Sequence, residues 1–117
     1  MIKVYAYSGC STCKSALKFL KEHKVPHEVL AIRETPPTKA ELKRMLAAYG
    51  GDMRRLFNTS GLDYRALGLG PKLDAMGEDE ALGLLAENGN LVKRPFVVAK
   101  DGGLVGFKPE EWERLVR

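Results

Sequence analysis

Cysteine is scarce in this sequence: 117 residues hold two, Cys10 and Cys13, beside two histidines and one tryptophan. That excludes a disulfide scaffold of the secreted mini-protein kind. Long apolar runs are missing too. No stretch approaches the roughly 18 residues a membrane-crossing helix needs, so no transmembrane segment is expected. The start, Met1-Ile2-Lys3-Val4-Tyr5, lacks a long apolar core followed by a small-residue cleavage site. No signal peptide is expected, and the compartment read from this is cytoplasmic. Thiols are kept reduced there, so a Cys-x-x-Cys is redox-active or metal-binding sooner than structural.

Dense runs of one charge are also absent. The net charge is +4, from 19 basic and 15 acidic residues. The whole surplus lies between Arg33 and Lys72, which hold eight basic and four acidic residues. So modest an excess, without a reading motif, argues against direct nucleic-acid binding. It suits a solvated helical face or, more sharply, an anion site or a surface for an acidic partner. What is present is ordinary for a single globular domain over 1–117: 44% apolar and 29% charged residues.

Ile2 to Tyr7 alternates and is rich in β-formers, which predicts a first strand. Ser8-Gly9 breaks it. From Ser11 to His23 the residues Cys13, Ala16, Leu17 and Leu20 make a helical apolar stripe. Pro26 ends that segment, and His27 to Ile32 reads as a second strand. Strand, turn, helix, strand implies a parallel βαβ unit. Thr38-Lys39-Ala40-Glu41 matches a capping box and opens a helix to Tyr49, which Gly50-Gly51 stops. Short helices are expected near Asp52–Phe57, Asp63–Gly68 and Glu78–Asn88, with Gly61, Gly68, Gly70 and Pro71 as punctuation. Arg94 to Ala99 is a strand, Asp101-Gly102-Gly103 a hairpin turn, and Leu104 to Phe107 the returning strand. Pro109 opens a last helix through Val116. The expected fold is α/β: a four-stranded mixed sheet, βαβ then ββα, with an all-helical insertion over about 36–90.

The cysteines fall at the strand-to-helix turn. Unpaired backbone N–H groups and the positive end of the helix dipole favour a thiolate there. Residues three apart on a helix are neighbours, so the pair can close a disulfide without long-range movement. Cys13 heads the apolar stripe and is the less exposed sulfur, which makes Cys10 the nucleophile and Cys13 the resolving thiol. Three other readings stand beside this one. A permanent disulfide closing so short a loop would contribute on the order of 2 kcal/mol. A zinc site with His23 and His27 would need ligands about 15 Å apart along a helix to meet at one ion. Two inert free thiols are the third. No metal site and no bound cofactor is expected.

Tyr7-Ser8-Gly9-Cys10-Ser11-Thr12-Cys13-Lys14 resembles the active-site turn of the arsenate reductase family, the ArsC/Spx/YffB-like group. Ile32-Arg33-Glu34-Thr35-Pro36, Leu56-Phe57-Asn58-Thr59-Ser60-Gly61, Tyr64-Arg65, Lys93-Arg94-Pro95 and Leu104-Val105-Gly106-Phe107-Lys108-Pro109 match in family order over nearly the whole chain. The resemblance implies a thioredoxin-like fold and a cis peptide bond before Pro95. In the arsenate reductases of this group one cysteine attacks arsenate, glutathione resolves the adduct and glutaredoxin completes the cycle. Three arginines hold the oxyanion, and Arg65 and Arg94 fall on two of those motifs. Lys108 stands on the third, where a lysine lacks the bidentate fork of arginine. Ser11, Thr12 and Pro95 complete the implied anion and substrate site.

Cys13 is a second departure, since single-cysteine arsenate reductases lack a thiol at that spacing. Both departures point toward dithiol–disulfide exchange. Spx-like members instead bind the RNA polymerase α-subunit and use the Cys-x-x-Cys as a redox switch. Gly50-Gly51-Asp52 lies where their contact glycine is expected, although a glycine after a helix is equally a plain cap. The sequence therefore carries three readings. They are a thiol–disulfide oxidoreductase using glutathione, glutaredoxin or thioredoxin as partner, a glutathione-coupled arsenate reductase, and a polymerase-binding regulator. The expected state is a monomer.

Overall fold

Alternation along β1 (Ile2–Ala6) decides the architecture. Val4 and Ala6 point into one apolar cluster and Tyr5 into another, so both faces of this strand are covered. The computed structural model describes residues 1–100 and 102–116. In it β1 pairs in parallel with β2 (His27–Ala31) and antiparallel with β3 (Phe96–Val98), which pairs antiparallel with β4 (Leu104–Val105). The sheet order is β2-β1-β3-β4. Helix α1 (Ser11–Glu22) makes the expected crossover between β1 and β2. Its stripe of Cys13, Ala16 and Leu20 packs on Val4, Ala6, Val97 and Leu104, together with Trp112 of α6 (Pro109–Trp112). Trp112 is fully buried and donates its indole N–H to the Gly106 carbonyl at 3.0 Å.

The helical insertion covers the opposite face. Leu42, Met45 and Leu46 of α2 (Lys39–Ala48) and Leu82 and Leu85 of α5 (Glu78–Glu87) share a cluster with Tyr5, Phe96 and Val105. The fold is thus the α/β, thioredoxin-like arrangement expected, a mixed four-stranded sheet between helical layers. The capping box forms as read: Glu41 N–H donates to Thr38 Oγ1 at 3.2 Å and Thr38 N–H to Glu41 Oε1 at 3.0 Å. The same carboxylate takes Tyr5 OH at 2.7 Å and Lys3 Nζ at 2.9 Å, which pins α2 to the central strand. Burial alone would raise the Glu41 carboxyl. Thr38, Lys3 and Tyr5 outweigh it and hold the group below its ordinary value. Gly50 and Gly51 stop α2 at φ 68 and 85, and Gly51 N–H returns to the Leu46 carbonyl at 2.9 Å.

Several boundaries differ from the sequence reading, each for a local reason. Residues Met53–Leu56 make a 3₁₀ turn where a short helix was expected. Gly70 and Pro71 do not break the chain. They lie inside a one-turn helix α4 (Leu69–Lys72), which follows α3 (Leu62–Ala66). A proline fits the first turn of a helix, where its missing N–H has no intrahelical role. Strand β3 starts at Phe96 and not at Arg94, because Pro95, which follows a cis bond, offers no N–H to the ladder. The returning strand stops at Val105, since Gly106 N–H turns back to the Pro95 carbonyl at 2.9 Å. The last helix is one α-turn followed by a 3₁₀ stretch, Glu113–Val116. Asp101 of the expected hairpin turn lies outside the described residues.

Much of the basic surplus holds the insertion together. Arg54 donates to Tyr64 OH, to the Gly70 carbonyl and to Asp74, so one guanidinium ties together α3, α4 and the turn that follows. Lys39 pairs with Asp79, and Arg44 donates to the Lys100 carbonyl at 3.1 Å.

Candidate active site

Cys10 is the N-cap of α1, with extended backbone, φ −95 and ψ 116. Its Sγ accepts the Cys13 N–H at 3.3 Å, one of the donors a helix start leaves without a backbone partner. The two thiols are free and differ sharply in access. Cys10 is half-buried at the mouth of a cleft, whereas Cys13 is 1% exposed. Burial pushes the Cys13 thiol from its ordinary 9.0 up to about 12. Cys10 adds to the rise, and the Tyr7 backbone and the Arg94 charge oppose it.

That shift has a sign that solution measurements can check. The unfolded chain releases the Cys13 proton near 9.0, while the folded chain keeps it to about 12. Stability from this group is fully present below pH 9 and falls as pH rises toward 12. Between pH 9 and 11 the native protein should lose stability more steeply than the Cys13→Ala variant, by at most on the order of 1 kcal/mol per pH unit. Urea midpoints across that range measure the difference, and parallel curves would count against a buried, protonated Cys13.

The cleft over Cys10 has a volume of about 720 Å³. Cys10 and Thr12 line it at the start of α1. Lys93 and Arg94 line one side, Gly106, Phe107 and Lys108 another, and Arg55, Asn58, Ser60 and Leu62 of the insertion a third. The described lining residues include four cations, Arg55, Lys93, Arg94 and Lys108, and no carboxylate. The Arg94 guanidinium lies 5.0 Å from the Tyr7 ring centre, and Arg33 lies 4.6 Å from the same ring. Arg94 Nη1 is buried without a hydrogen-bond partner. An unsatisfied donor costs about 1–3 kcal/mol, which an acceptor reaching it would relieve.

The site residues expected from the sequence divide. Cys10, Thr12, Arg94 and Lys108 share the cleft, whereas the buried Cys13 lines a separate pocket with Tyr7, Leu17 and Val29. Ser11 is exposed at the first position of α1 and does not line the cleft. Pro95 is buried behind the cis bond. Arg65 is exposed on α3 and is also not among the lining residues. Arg55, Lys93, Asn58 and Leu62 were missed. The Arg54-Arg55 doublet was the available signal: in a 3₁₀ turn successive residues diverge by about 120°. Arg54 faces the insertion, while Arg55 lines the cleft with its guanidinium 4.7 Å from the Tyr49 ring.

The histidines are engaged elsewhere. His23 caps the far end of α1 with its ring 4.2 Å from Phe19, and His27 Nδ1 lies 2.8 Å from the Val25 carbonyl. Among the described residues no group of three or more metal-ligand side chains converges. None of the described helices is long and apolar enough to cross a membrane.

The family model for ArsC matches residues 5–115. The chain belongs to the ArsC family. An uncharacterised relative, YusI of Bacillus subtilis, is 45% identical over 93% of this chain and 92% of its own. An arsenate reductase of Rhizobium meliloti is 31% identical over 86% of this chain and 71% of its own. A global transcriptional regulator, Spx of Enterococcus faecalis, is 27% identical over 99% of this chain and 86% of its own. A crystal structure of an ArsC family related protein from Bacteroides fragilis superposes with a TM-score of 0.92, at 46% identity over 97% of this chain and 96% of that one. The relatives of this chain thus include a reductase and a regulator, and the chain itself carries a Cys-x-x-Cys at the turn.

Proposed function

We propose that this protein is a thiol–disulfide oxidoreductase in which Cys10 attacks and Cys13 resolves. The observation that carries the reading is the asymmetry of the pair: one sulfur opens on a cation-lined cleft and accepts a helix-start N–H, and the other is buried and protonated. The Cys10 thiolate attacks one sulfur of a substrate disulfide, forming a mixed disulfide and expelling the second substrate sulfur as thiolate. Cys13 then gives up its proton and displaces the first sulfur from Cys10. Two electrons pass to the substrate, its two thiols take up the protons, and the protein is left with a Cys10–Cys13 disulfide. An external dithiol, with thioredoxin, or glutathione with glutaredoxin, as the cellular candidates, restores the pair. No bound cofactor enters these steps, and the cytoplasm is the compartment in which they would run.

A regulator reading has its own support, because the Spx relative matches nearly the whole length of the chain. The same exchange would then act as a switch, and the RNA polymerase α-subunit would be retained without turnover. Glutathione-coupled arsenate reduction draws on the Rhizobium relative. It is weakened by Arg65 lying outside the cleft and by lysine at 108.

Mild oxidation followed by mass spectrometry tests the chemistry common to the redox readings. The protein should lose two hydrogens as Cys10 and Cys13 join, and limited alkylation of the reduced protein should mark Cys10 first. Alkylation of Cys13 first, or no disulfide under mild oxidant, would overturn the proposal.

A further inference from the structure

Two of the four cleft cations also line a second pocket, so they are not devoted to one small anion at Cys10. Tetrahedral oxyanions are held by closely set, bidentate donors. Here Arg55 and Lys93 line both the cleft over Cys10 and an adjoining pocket of about 310 Å³. Arg54 and Asp52 line that pocket too, and Asp74 already neutralises Arg54. The side chains of Arg55, Lys93 and Lys108 make no ion pair or hydrogen bond with any described residue. Arg55 is held in place by the Tyr49 ring. Leu62 is 81% exposed at the rim of the same cleft, a large apolar side chain with no intramolecular use for its surface.

We propose that Arg55 and Lys93 select a disulfide set in an acidic stretch of polypeptide, with Leu62 touching the chain beside it. The inference rests on the thiol–disulfide reading above and adds to it the substrate class. The cysteine sulfur of the peptide meets Cys10, and carboxylates on neighbouring residues extend along Lys93 and Arg55. The exchange follows the balanced steps already given, with the peptide disulfide as oxidant and the Cys10/Cys13 dithiol as two-electron reductant.

The test uses the reduced full-length protein in single turnover. The substrates are three peptide disulfides of equal length, with glutamate, glutamine or lysine around the cysteine. The glutamate peptide should react about tenfold faster than the glutamine one at low salt, the lysine peptide slowest, and the spread should shrink as salt is raised. In the Arg55→Gln/Lys93→Gln protein the glutamate-to-glutamine ratio should fall to near one. Lys93→Gln alone, at an exposed position, should lower it part-way. Lys18→Gln removes the same charge from exposed surface on α1 and should leave the ratio as it was. Equal rates for the three peptides, or equal loss of preference in Lys18→Gln, would overturn the assignment while leaving the oxidoreductase reading intact. Preference for glutathione disulfide or arsenate over every peptide overturns it as well. No reaction with any disulfide removes both readings at once.

Discussion

Cys10→Ser should abolish disulfide reduction, lowering turnover by at least about a thousandfold. The reason lies in what remains. Cys13 has 1% exposure, and its thiol is pushed up to about 12. Burial, the largest cause of that rise, persists without Cys10, so the Cys13 thiol stays protonated at pH 7 and covered. It cannot stand in for the attacking sulfur. Cys13→Ser should behave differently. Cys10 still opens on the cleft, so the first exchange proceeds and the protein stalls as a stable mixed disulfide, visible as added mass equal to one substrate thiol. Serine at position 13 also keeps the backbone N–H that Cys10 Sγ accepts. Turnover measured with an excess dithiol, beside intact-mass spectra of both variants, separates the roles. Substantial turnover in Cys10→Ser, or no trapped adduct in Cys13→Ser, would show that the assignment is reversed or that the pair does no exchange. A regulator that uses the pair as a switch would pass the trapping arm and fail the turnover arm, so the two variants also divide the readings of this family member.

The parts of the fold that were legible are those whose signals are local. The Ile2–Ala6 alternation, the Ser8-Gly9 break and the stripe from Cys13 to Leu20 each act within a few residues, and together they put both sulfurs at a strand-to-helix turn. The Thr38–Glu41 box was legible for the same reason. That its glutamate also binds Tyr5 and Lys3 was not, because the contact spans more than 30 residues of chain. The short helices of the insertion were the hardest. Leu69–Lys72 is a single turn through a proline, held by the buried Leu69 and by Arg54 on the Gly70 carbonyl, contacts that lie outside the segment.

The same limit governed the cations. Which of Arg54, Arg55 and Arg65 lines the cleft depends on the rotation of one-turn segments. That rotation is set by packing, as when Tyr64 is buried under Arg54 and carries its neighbour Arg65 outward. Of the surplus between Arg33 and Lys72, the sequence could say that it was there. The structure divides it into Arg54, Lys39 and Arg44, which hold the insertion, and Arg55 and Arg33, which face the thiol side.

Gly103→Ala should be strongly damaging for so small a substitution. Gly103 enters β4 at φ 118, a conformation that L side chains rarely adopt. A Cβ built there runs into the Val97 carbonyl oxygen and lies 2.9 Å from the Met45 methyl carbon. Neither neighbour has room to withdraw. Val97 is fully buried on β3 and paired with Leu104, and Met45 is fully buried in the opposite cluster. Strain at the backbone and overpacking each contribute about 1–3 kcal/mol, so a loss near 4 kcal/mol is expected. Against a total of about 5–15 kcal/mol, that lowers the thermal midpoint by roughly 15 °C. Activity should fall with it, because β4 leads directly into Gly106, Phe107 and Lys108 on the cleft wall. The identical chemical change at Gly83 should do the opposite. Gly83 lies inside α5 with nothing within 4 Å of an added Cβ, so alanine there should stabilise by about 0.5–1 kcal/mol. Thermal melts of the two variants beside the parent make the comparison. A Gly103→Ala protein within 1 kcal/mol of the parent would mean that β3 and β4 can part at this point without loss, and that the wall of the cleft is far softer than its buried neighbours imply.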